Sequence, residues 1–315
     1  MADRLMLLDT ASLYFRAFYG VPDSIKRADG TPVNAVRGLL DMIAKLVADF
    51  EPTRLVACWD DDWRPAWRVD LIPSYKAHRV ERAVVDAPDV EETPSGLVAQ
   101  IPLITEVLAL LGIAVVGAPG HEADDVIGTL ATTADVPVDV VTGDRDLFQL
   151  VSDASGVRVI YTARGMSKLE LVTDAVVFQK YGVLPEQYAD FAVLRGDASD
   201  GLPGVAGVGE KTAAGLLVAF ADLDGIREAA ASDAPTVPGI SAGVRAKVTA
   251  ASAYLDVAPT VVEVVRDLDL PDHESRLAPV TGGARDRLEE LAAEWNLGGS
   301  VGRVLAVLDG LPGVG

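Results

Sequence analysis

Nine carboxylates stand where they could act together. Asp9, Asp60 and Asp144 each close a short apolar run, in LMLLD, VACWD and VVTGD. An Asp after a strand often caps the next helix. Three at the ends of parallel strands, however, would meet in the crevice outside the carboxyl edge, where open α/β sheets bind ligands. HEADDVIGTL reads as a helix start, with Glu122 and Asp125 on one face and Asp124 beside them. Acids in a first turn complement the helix dipole, yet three in four residues repel one another. TGDRD adds Asp146 to Asp144, and RGDASD adds Asp197 and Asp200. The single cysteine, Cys58, and three histidines, His78, His121 and His273, exclude a disulfide framework, a thiolate zinc cluster and a His-rich metal site. An all-oxygen set suits Mg²⁺ or Mn²⁺ rather than zinc. Two such ions about 4 Å apart can activate a water and stabilise a leaving oxygen in phosphodiester cleavage. Nine acids exceed the direct ligands of two ions, so some would act through bound water.

The cations are clustered too. Arg64, Arg68, Lys76, Arg79 and Arg82 face only Asp70 and Glu81 in their stretch. Trp67 and Tyr75 are interleaved and could stack on exposed bases; the alternative is a solvated helix face. Arg16 follows Asp9 by two helical turns and can face the same crevice. GLPGVAGVGEKTA, residues 201–213, is not a P-loop, because Glu210 separates Gly209 from Lys211. No apolar strand runs into it, so it is not a dinucleotide fingerprint. It reads as a turn between helices that offers backbone N–H groups and a helix N-terminus to one phosphate, with Lys211 adding charge. An ordinary Gly-rich loop is the plainer reading.

Strand-like runs at Leu5–Leu8, Leu55–Trp59, Ile113–Gly117, Val138–Val141 and Val157–Tyr161 must position these groups. Amphipathic stretches at Val36–Phe50 and Ile101–Leu111 lie between them. The alternation predicts an α/β fold with a mostly parallel sheet flanked by helices over residues 1–180. Residues 181–315 read as helical, with loops at Val237–Gly239 and Gly282–Gly283 and a helix near Ala284–Trp295. Residues 80–96 are polar and Pro-containing, and read as a long connection. Of 315 residues 50% are apolar, and the mean hydropathy is +0.26, enough for a full core. No apolar run approaches the ~20 residues that span a bilayer. The N-terminus carries no signal-peptide pattern, so a soluble cytoplasmic protein is expected.

LDTASLYFRAFYG, YKAHR, HEADDVIGTLA, TGDRDLFQL and RGDASDGLPGVAGVGEKTA, in this order, closely resemble the bacterial 5′ nuclease and flap endonuclease family. That family includes the 5′→3′ exonuclease domain of DNA polymerase I. The likeness covers residues 5–220. It implies a PIN-like nuclease core, a helical arch over the site at 75–100, and a helix-hairpin-helix-type (H3TH) module that grips duplex DNA. With the chain ending near 315, a stand-alone enzyme without a polymerase part is expected. The expected reaction is two-metal hydrolysis of 5′ flaps and of nicked or gapped DNA, with RNA–DNA hybrids a further substrate. Asp9, Asp60, Glu122, Asp124, Asp125, Asp144, Asp146, Asp197 and Asp200 fall on the family's metal acids. On these grounds Asp125→Asn should nearly abolish cleavage and spare binding. Lys76 and Arg79 fall on the YKxxR motif at the arch base, with Lys76 toward the scissile phosphate, and Arg16 on the first motif's arginine. Tyr75 is the aromatic for a junction base, and Arg82 a further arch contact. Gly207, Gly209, Lys211 and Thr212 fall on the duplex-binding hairpin. Backbone carbonyls of Gly204, Val205 and Val208 would hold K⁺.

The run Asp60-Asp61-Asp62 leaves the second ligand's register open between Asp60 and Asp61. Val98 stands where many relatives carry Arg, and Gly201 where Asn is usual. A PIN-type ribonuclease using the same acids, and a binding protein without catalysis, are the alternatives. The net charge of −20 fits a nuclease when part of it is the metal site and the rest faces away from DNA. Binding should then be confined to one face, depend on divalent metal and weaken with salt. A monomer is assumed.

Overall fold

The computed structural model describes residues 3–84 and 89–311. Its strands are β1 (Leu5–Asp9), β2 (Arg54–Cys58), β3 (Val80–Arg82), β4 (Val90–Glu91), β5 (Ala114–Val116), β6 (Val138–Thr142), β7 (Val157–Tyr161) and β8 (Glu170–Val172). Six form one sheet in the order β5-β2-β1-β6-β7-β8, parallel except for β8. Every residue of β1 and β6 is buried, which explains their continuous apolar runs: helices cover both faces of such a sheet. Period-two alternation sends Leu5 and Leu7, with Val56, Cys58, Val138 and Val140, to one core. Met6 and Leu8, with Leu55, Ala57 and Val141, go to the other.

The chain lays down β1, β2 and β5 in one direction, then crosses back to β6 and β7. The reversal falls between β1 and β6. Neighbouring connections diverge there and leave a crevice at the carboxyl edge. Asp9 ends β1, Asp60 lies two residues beyond β2 and Asp144 two beyond β6. The strand ends therefore set the three acids around one opening, as their positions in the sequence implied.

The first core takes the helix Ala123–Thr133 and the helices from Tyr188 to Val262. The second takes Thr10–Gly20, Asn34–Phe50 and Ile101–Leu110, and also the last two helices, Gly282–Glu294 and Gly299–Asp309. The end of the chain thus returns to the sheet. Leu55 N–H donates to the Ser275 carbonyl at 2.7 Å and Leu277 N–H to the Thr53 carbonyl at 2.9 Å. The boundary near 180 separates the sheet region from the helical one along the chain, but the closing helices pack with the first. Gly299–Asp309 packs on Asn34–Phe50, and Gly282–Glu294 on Ile101–Leu110. Gly282 and Gly283 open a helix instead of forming a loop.

The expected helical arch at 75–100 is corrected. After a short turn at Ala77–Arg79, β3 and β4 form an antiparallel ribbon, and a four-residue helix, Ser95–Val98, follows. Residues 85–88 of that segment lie outside the described residues. Pro94 lacks the N–H a helix needs, and the β-branched Val80 and Val90 favour extended backbone. The ribbon's base is tied down: Trp63 Nε1 donates to the Asp89 carbonyl at 2.7 Å, Arg64 pairs with the Asp89 carboxylate, and Glu92 N–H donates to the Arg79 carbonyl at 2.8 Å.

Candidate active site

A cleft of about 720 Å³ opens at the carboxyl edge, and six of the nine acids line it: Asp9, Asp60, Glu122, Asp124, Asp144 and Asp197. Asp9 caps the helix Thr10–Gly20, accepting from Ser12 N–H at 3.1 Å and from Thr142 Oγ1 at 2.7 Å. Asp60 accepts from Ala123 N–H at 2.7 Å, which joins the end of β2 to the acid-bearing helix. Of the two acids between which the register was open, Asp60 lines the cleft, and Asp61 lies against Gly117, where a Cβ would stand 2.4 Å from its Oδ1. Asp144 accepts from Asp146 N–H at 2.9 Å. Asp146 and Asp200 stand behind the cleft wall, where with Glu122 and Asp124 they line a hollow of about 20 Å³, room for one water.

These groups are buried among their own kind. Burial, then the charges of Asp60 and Asp144, push the Asp9 carboxyl up to about 7, despite hydrogen bonds that favour its ionised form. Burial also raises Asp60, Glu122 and Asp144, and raises Asp124 and Asp146 strongly, with acidic neighbours adding to it. Asp146 Oδ1 is a buried acceptor without a hydrogen-bond partner. A carboxylate cluster of this kind, more acidic than its own cations can offset, fits a hard divalent cation. Among the described residues no three of these groups already close into an ion cage. Donors spread over opposing walls suit ions that keep water and bridge to a phosphate. Asp197 differs. Burial raises it, but hydrogen bonds from Ser199 and the charges of Arg195 and Arg145 outweigh that and lower it.

Cations line the same cleft. Lys76 adopts φ +47° and donates through Nζ to Glu122 Oε2 at 2.6 Å. Burial alone would lower it; the charges of Glu122, Tyr75, Asp200 and Asp124 raise it strongly, so it stays an ammonium. Arg79 donates to Asp200 Oδ1 at 3.0 Å and to the Ser199 carbonyl at 2.9 Å. Lys76 N–H meets the Asp200 carbonyl at 2.9 Å, and Ser74 Oγ the Gly201 carbonyl at 2.7 Å. At Gly201, φ +71°, a Cβ would stand 2.0 Å from the Ser74 carbonyl oxygen. Glycine is what lets the loop carrying Asp197 and Asp200 dock beside Lys76.

Residues 4–182 match the profile of the 5′-3′ exonuclease N-terminal resolvase-like domain, and residues 183–281 that of the 5′-3′ exonuclease C-terminal SAM fold. The chain belongs to the 5′-3′ exonuclease family. A 5′-3′ exonuclease of Streptomyces coelicolor is 59% identical over 305 residues, covering 96% of this chain and 99% of that protein. One of Mycobacterium tuberculosis is 49% identical, covering 99% and 100%. DNA polymerase I of Mycobacterium bovis is 47% identical over 70% of this chain but 23% of its own length. A solved structure of T5 5′-exonuclease with bound zinc shares the fold, with a TM-score of 0.62 at 16% identity and coverage of 97% and 100%. The catalytic core of Rad2 with DNA gives 0.59 at 17% identity, covering 97% of this chain and 93% of that one. The family, the resolvase-like core and the helical second unit are those the motifs implied.

Two expected roles in this family member are corrected. Asp125 does not face the cleft. It is fully buried, and Arg68, itself 2% exposed, donates to both its oxygens at 3.0 and 2.7 Å. Val265 N–H takes Asp125 Oδ1 at 2.9 Å, and Glu122 N–H reaches Oδ2 at 3.3 Å. Arg68 also donates to the Val261 carbonyl at 3.1 Å. Asp125 therefore joins the sheet unit to the helical unit, and its oxygens are taken. Tyr75 is likewise buried, and its hydroxyl donates to Glu122 Oε1 at 2.8 Å. It cannot stack on a base; it holds a carboxylate. Arg64 is buried too, donating to the carbonyls of Tyr75 at 2.6 Å and Pro73 at 3.1 Å. The basic stretch 64–82 is thus half scaffold.

Arg16 lines the cleft, with its Nε buried and unpartnered. Arg82 is exposed on β3. The glycine hairpin joins the helices Tyr188–Arg195 and Glu210–Phe220, as expected. Gly209 caps the second helix, and Lys211 is exposed in its first turn, next to Thr212. Gly204 and Gly207 take φ +66° and +72°, while Val205 and Val208 turn their side chains into the core. Lys247, unnoticed in the sequence, donates to the Gly207 carbonyl at 2.9 Å. Arg145 and Glu91 also line the cleft. Arg145 lay visible inside TGDRD, between two of the acids. Glu91 gave no signal, because only the β3–β4 ribbon brings it there.

Proposed function

We propose that this chain is a structure-selective, divalent-metal-dependent 5′ nuclease acting on DNA at single-strand/double-strand junctions: 5′ flaps, nicks and gaps, with RNA–DNA hybrids as a further substrate. The observation that carries it is the cleft in which six carboxylates from both units face Lys76 and Arg79. Asp9, Asp60, Glu122, Asp124, Asp144 and Asp197 would hold two or more Mg²⁺ or Mn²⁺ ions, with Asp146 and Asp200 acting through water. When bound, such ions supply a nucleophilic hydroxide near neutral pH and offset charge on the phosphate. Lys76, kept charged by Glu122, offers its ammonium to a phosphate oxygen entering the cleft. Arg16 and Arg79 supply further positive charge in the cleft.

Duplex DNA would be gripped at the hairpin. The N–H groups of Gly207 and Gly209 and the helix N-terminus receive one backbone phosphate, with Lys211, Thr212 and Lys247 beside it. The carbonyls of Gly204, Val205 and Val208 offer K⁺ a place in the same turn. Arg82 on the ribbon meets the displaced strand. We take the enzyme to work as a monomer. A buried lone cysteine suits a reducing cytoplasmic setting, and no helix among the described residues is long and apolar enough to cross a membrane.

The test is an end-labelled 5′-flap duplex beside a matching single-stranded RNA, each with Mg²⁺, Mn²⁺ or chelator. Metal-dependent release of the flap is the expected result. Cutting of the RNA alone, or binding without product, overturns it.

A further inference from the structure

The helix Thr10–Gly20 carries a second pattern besides its capping aspartate. Leu13, Tyr14 and Ala17 are buried in the core, while Ser12, Phe15, Arg16 and Tyr19 all line the cleft. Their spacing, i, i+3, i+4 and i+7, is one helical face. Three of these residues have evident uses: Ser12 N–H binds Asp9, Phe15 is half-buried, and Arg16 brings charge. Tyr19 has none. Its side chain is 72% exposed, an unusual state for a large ring that lines a cleft and takes no part in a core. Phe18 packs against it at near right angles, with centroids 5.3 Å apart and planes at 82°, so that at most one Tyr19 face is covered.

We infer that Tyr19 is a base-stacking residue for the single-stranded 5′ arm, and that the arm runs along this helix from the acids to its far end. The chemistry needed is that of an unpaired nucleobase: a flat π surface laid on a flat ring, which every base offers and which is worth about 1–3 kcal/mol per base. Arg16, one turn nearer the acids, would meet the intervening phosphate. Position sets the register. Tyr19 lies ten residues beyond Asp9, so at 1.5 Å per residue its ring stands about 15 Å along the helix from the capping carboxylate. At roughly 3.4 Å per stacked nucleotide this spans about four nucleotides, and fewer in a stretched strand. The stacked base should be one of the first four of the arm. Tyr19 would then set how the enzyme ranks arms by length: too far out to touch a one-nucleotide arm, it would hold longer ones.

This inference rests on the nuclease reading of the cleft, so the experiment separates the two. Wild type, Tyr19→Ala and Tyr19→Trp are compared on 5′-flap duplexes with arms of one to six nucleotides, and on a set with one abasic site at each of the first four arm positions. Cleavage rate and flap binding are both measured. Tyr19→Ala should lose about tenfold on arms of four or more nucleotides and stay within twofold of wild type on the one-nucleotide arm. Tyr19→Trp should restore the loss. One abasic position should weaken the wild type by a similar factor and leave Tyr19→Ala unchanged, because the stacking partner is already gone. An equal loss at every arm length, or abasic effects the same in both proteins, would overturn the inference and leave the nuclease reading standing. No cleavage of any arm by wild type with Mg²⁺ or Mn²⁺ would overturn that reading instead.

Discussion

Asp124 and Asp125 are neighbours in the chain and belong to different regions of the molecule. Asp124 looks into the cleft, where burial and the charges of Asp9 and Asp144 raise its carboxyl strongly. Asp125, about 100° further round the helix, looks into the core and is clamped by Arg68. Both are acids taken out of water, and they are compensated in opposite ways. Behind the cleft the opposing charge is built in, with bidentate geometry and every oxygen used. Inside it Lys76 and Arg145 offset only Glu122 and Asp197, and the charge opposite Asp9, Asp124 and Asp144 is left to be supplied from solution. A buried carboxylate therefore says little about catalysis until its surroundings are known: Asp125 has both oxygens taken by Arg68 and faces no cleft, whereas Asp124 faces the cleft among other carboxylates.

The contrast can be broken by substitution. The largest effect should come from Asp124→Asn, which removes a charge from the cleft and no hydrogen bond from the core. Flap cleavage should fall more than about a hundredfold, beyond the loss usual for groups that only orient a ligand, while melting temperature holds or rises. Arg68→Ala should act on the other side. Leaving Asp125 buried without its cation costs about 3–5 kcal/mol, read as a lower denaturant midpoint, with cleavage per folded molecule less affected than in Asp124→Asn. Lys76→Met sits between the regions, because Lys76 serves both Glu122 and the cleft. A loss of about a hundredfold in turnover is expected, with flap binding within a few-fold.

A smaller effect concerns pH. Asp9 holds its proton up to about 7 in the folded protein, whereas an unfolded aspartate releases it near 3.9. Between those values the folded state binds more protons, so chelator-treated protein should lose stability as pH rises from about 4 to 7. Asp60, Asp124, Asp144 and Asp146 are raised and push the same way. Asp197, lowered, contributes the reverse, with stability lost as pH falls below the usual carboxylate range. Melting at pH 5 and 7.5, with chelator and with Mg²⁺, checks this: the gain from Mg²⁺ should be larger at pH 7.5. Metal-independent melting that is flat across the window would count against it. Smallest of all, Lys211→Ala should weaken duplex binding modestly and lower its salt slope by about one.

Much of this was legible in the sequence. The strand-end aspartates could be placed because a parallel sheet gathers its carboxyl ends, and Asp9, Asp60 and Asp144 do meet there. The glycine hairpin could be placed because it lies between two helical patterns. Side-chain direction was not legible. Glu122 and Asp125 share a face by spacing, yet Glu122 sits at the cap, outside the regular helix, and turns to Lys76. Tyr75 and Arg68 read as surface groups because the segments that bury them, near Glu122 and Val261, are remote in sequence. The β3–β4 ribbon was hidden by its polar composition, since its base is pinned by side chains of Trp63 and Arg64. The return of the last two helices to the sheet depends on contacts with residues 34–50 and 101–110, which no local pattern reports.

The most direct measurement is a Mn²⁺ titration of wild type, Asp124→Asn and Asp125→Asn, followed calorimetrically at a temperature where all three are folded by circular dichroism. Asp124→Asn should bind at least about tenfold more weakly, and Asp125→Asn should bind as wild type does while melting lower. Intact binding by Asp124→Asn together with lost binding by Asp125→Asn would contradict the division between the cleft that calls for cations and the arginine-filled core behind it.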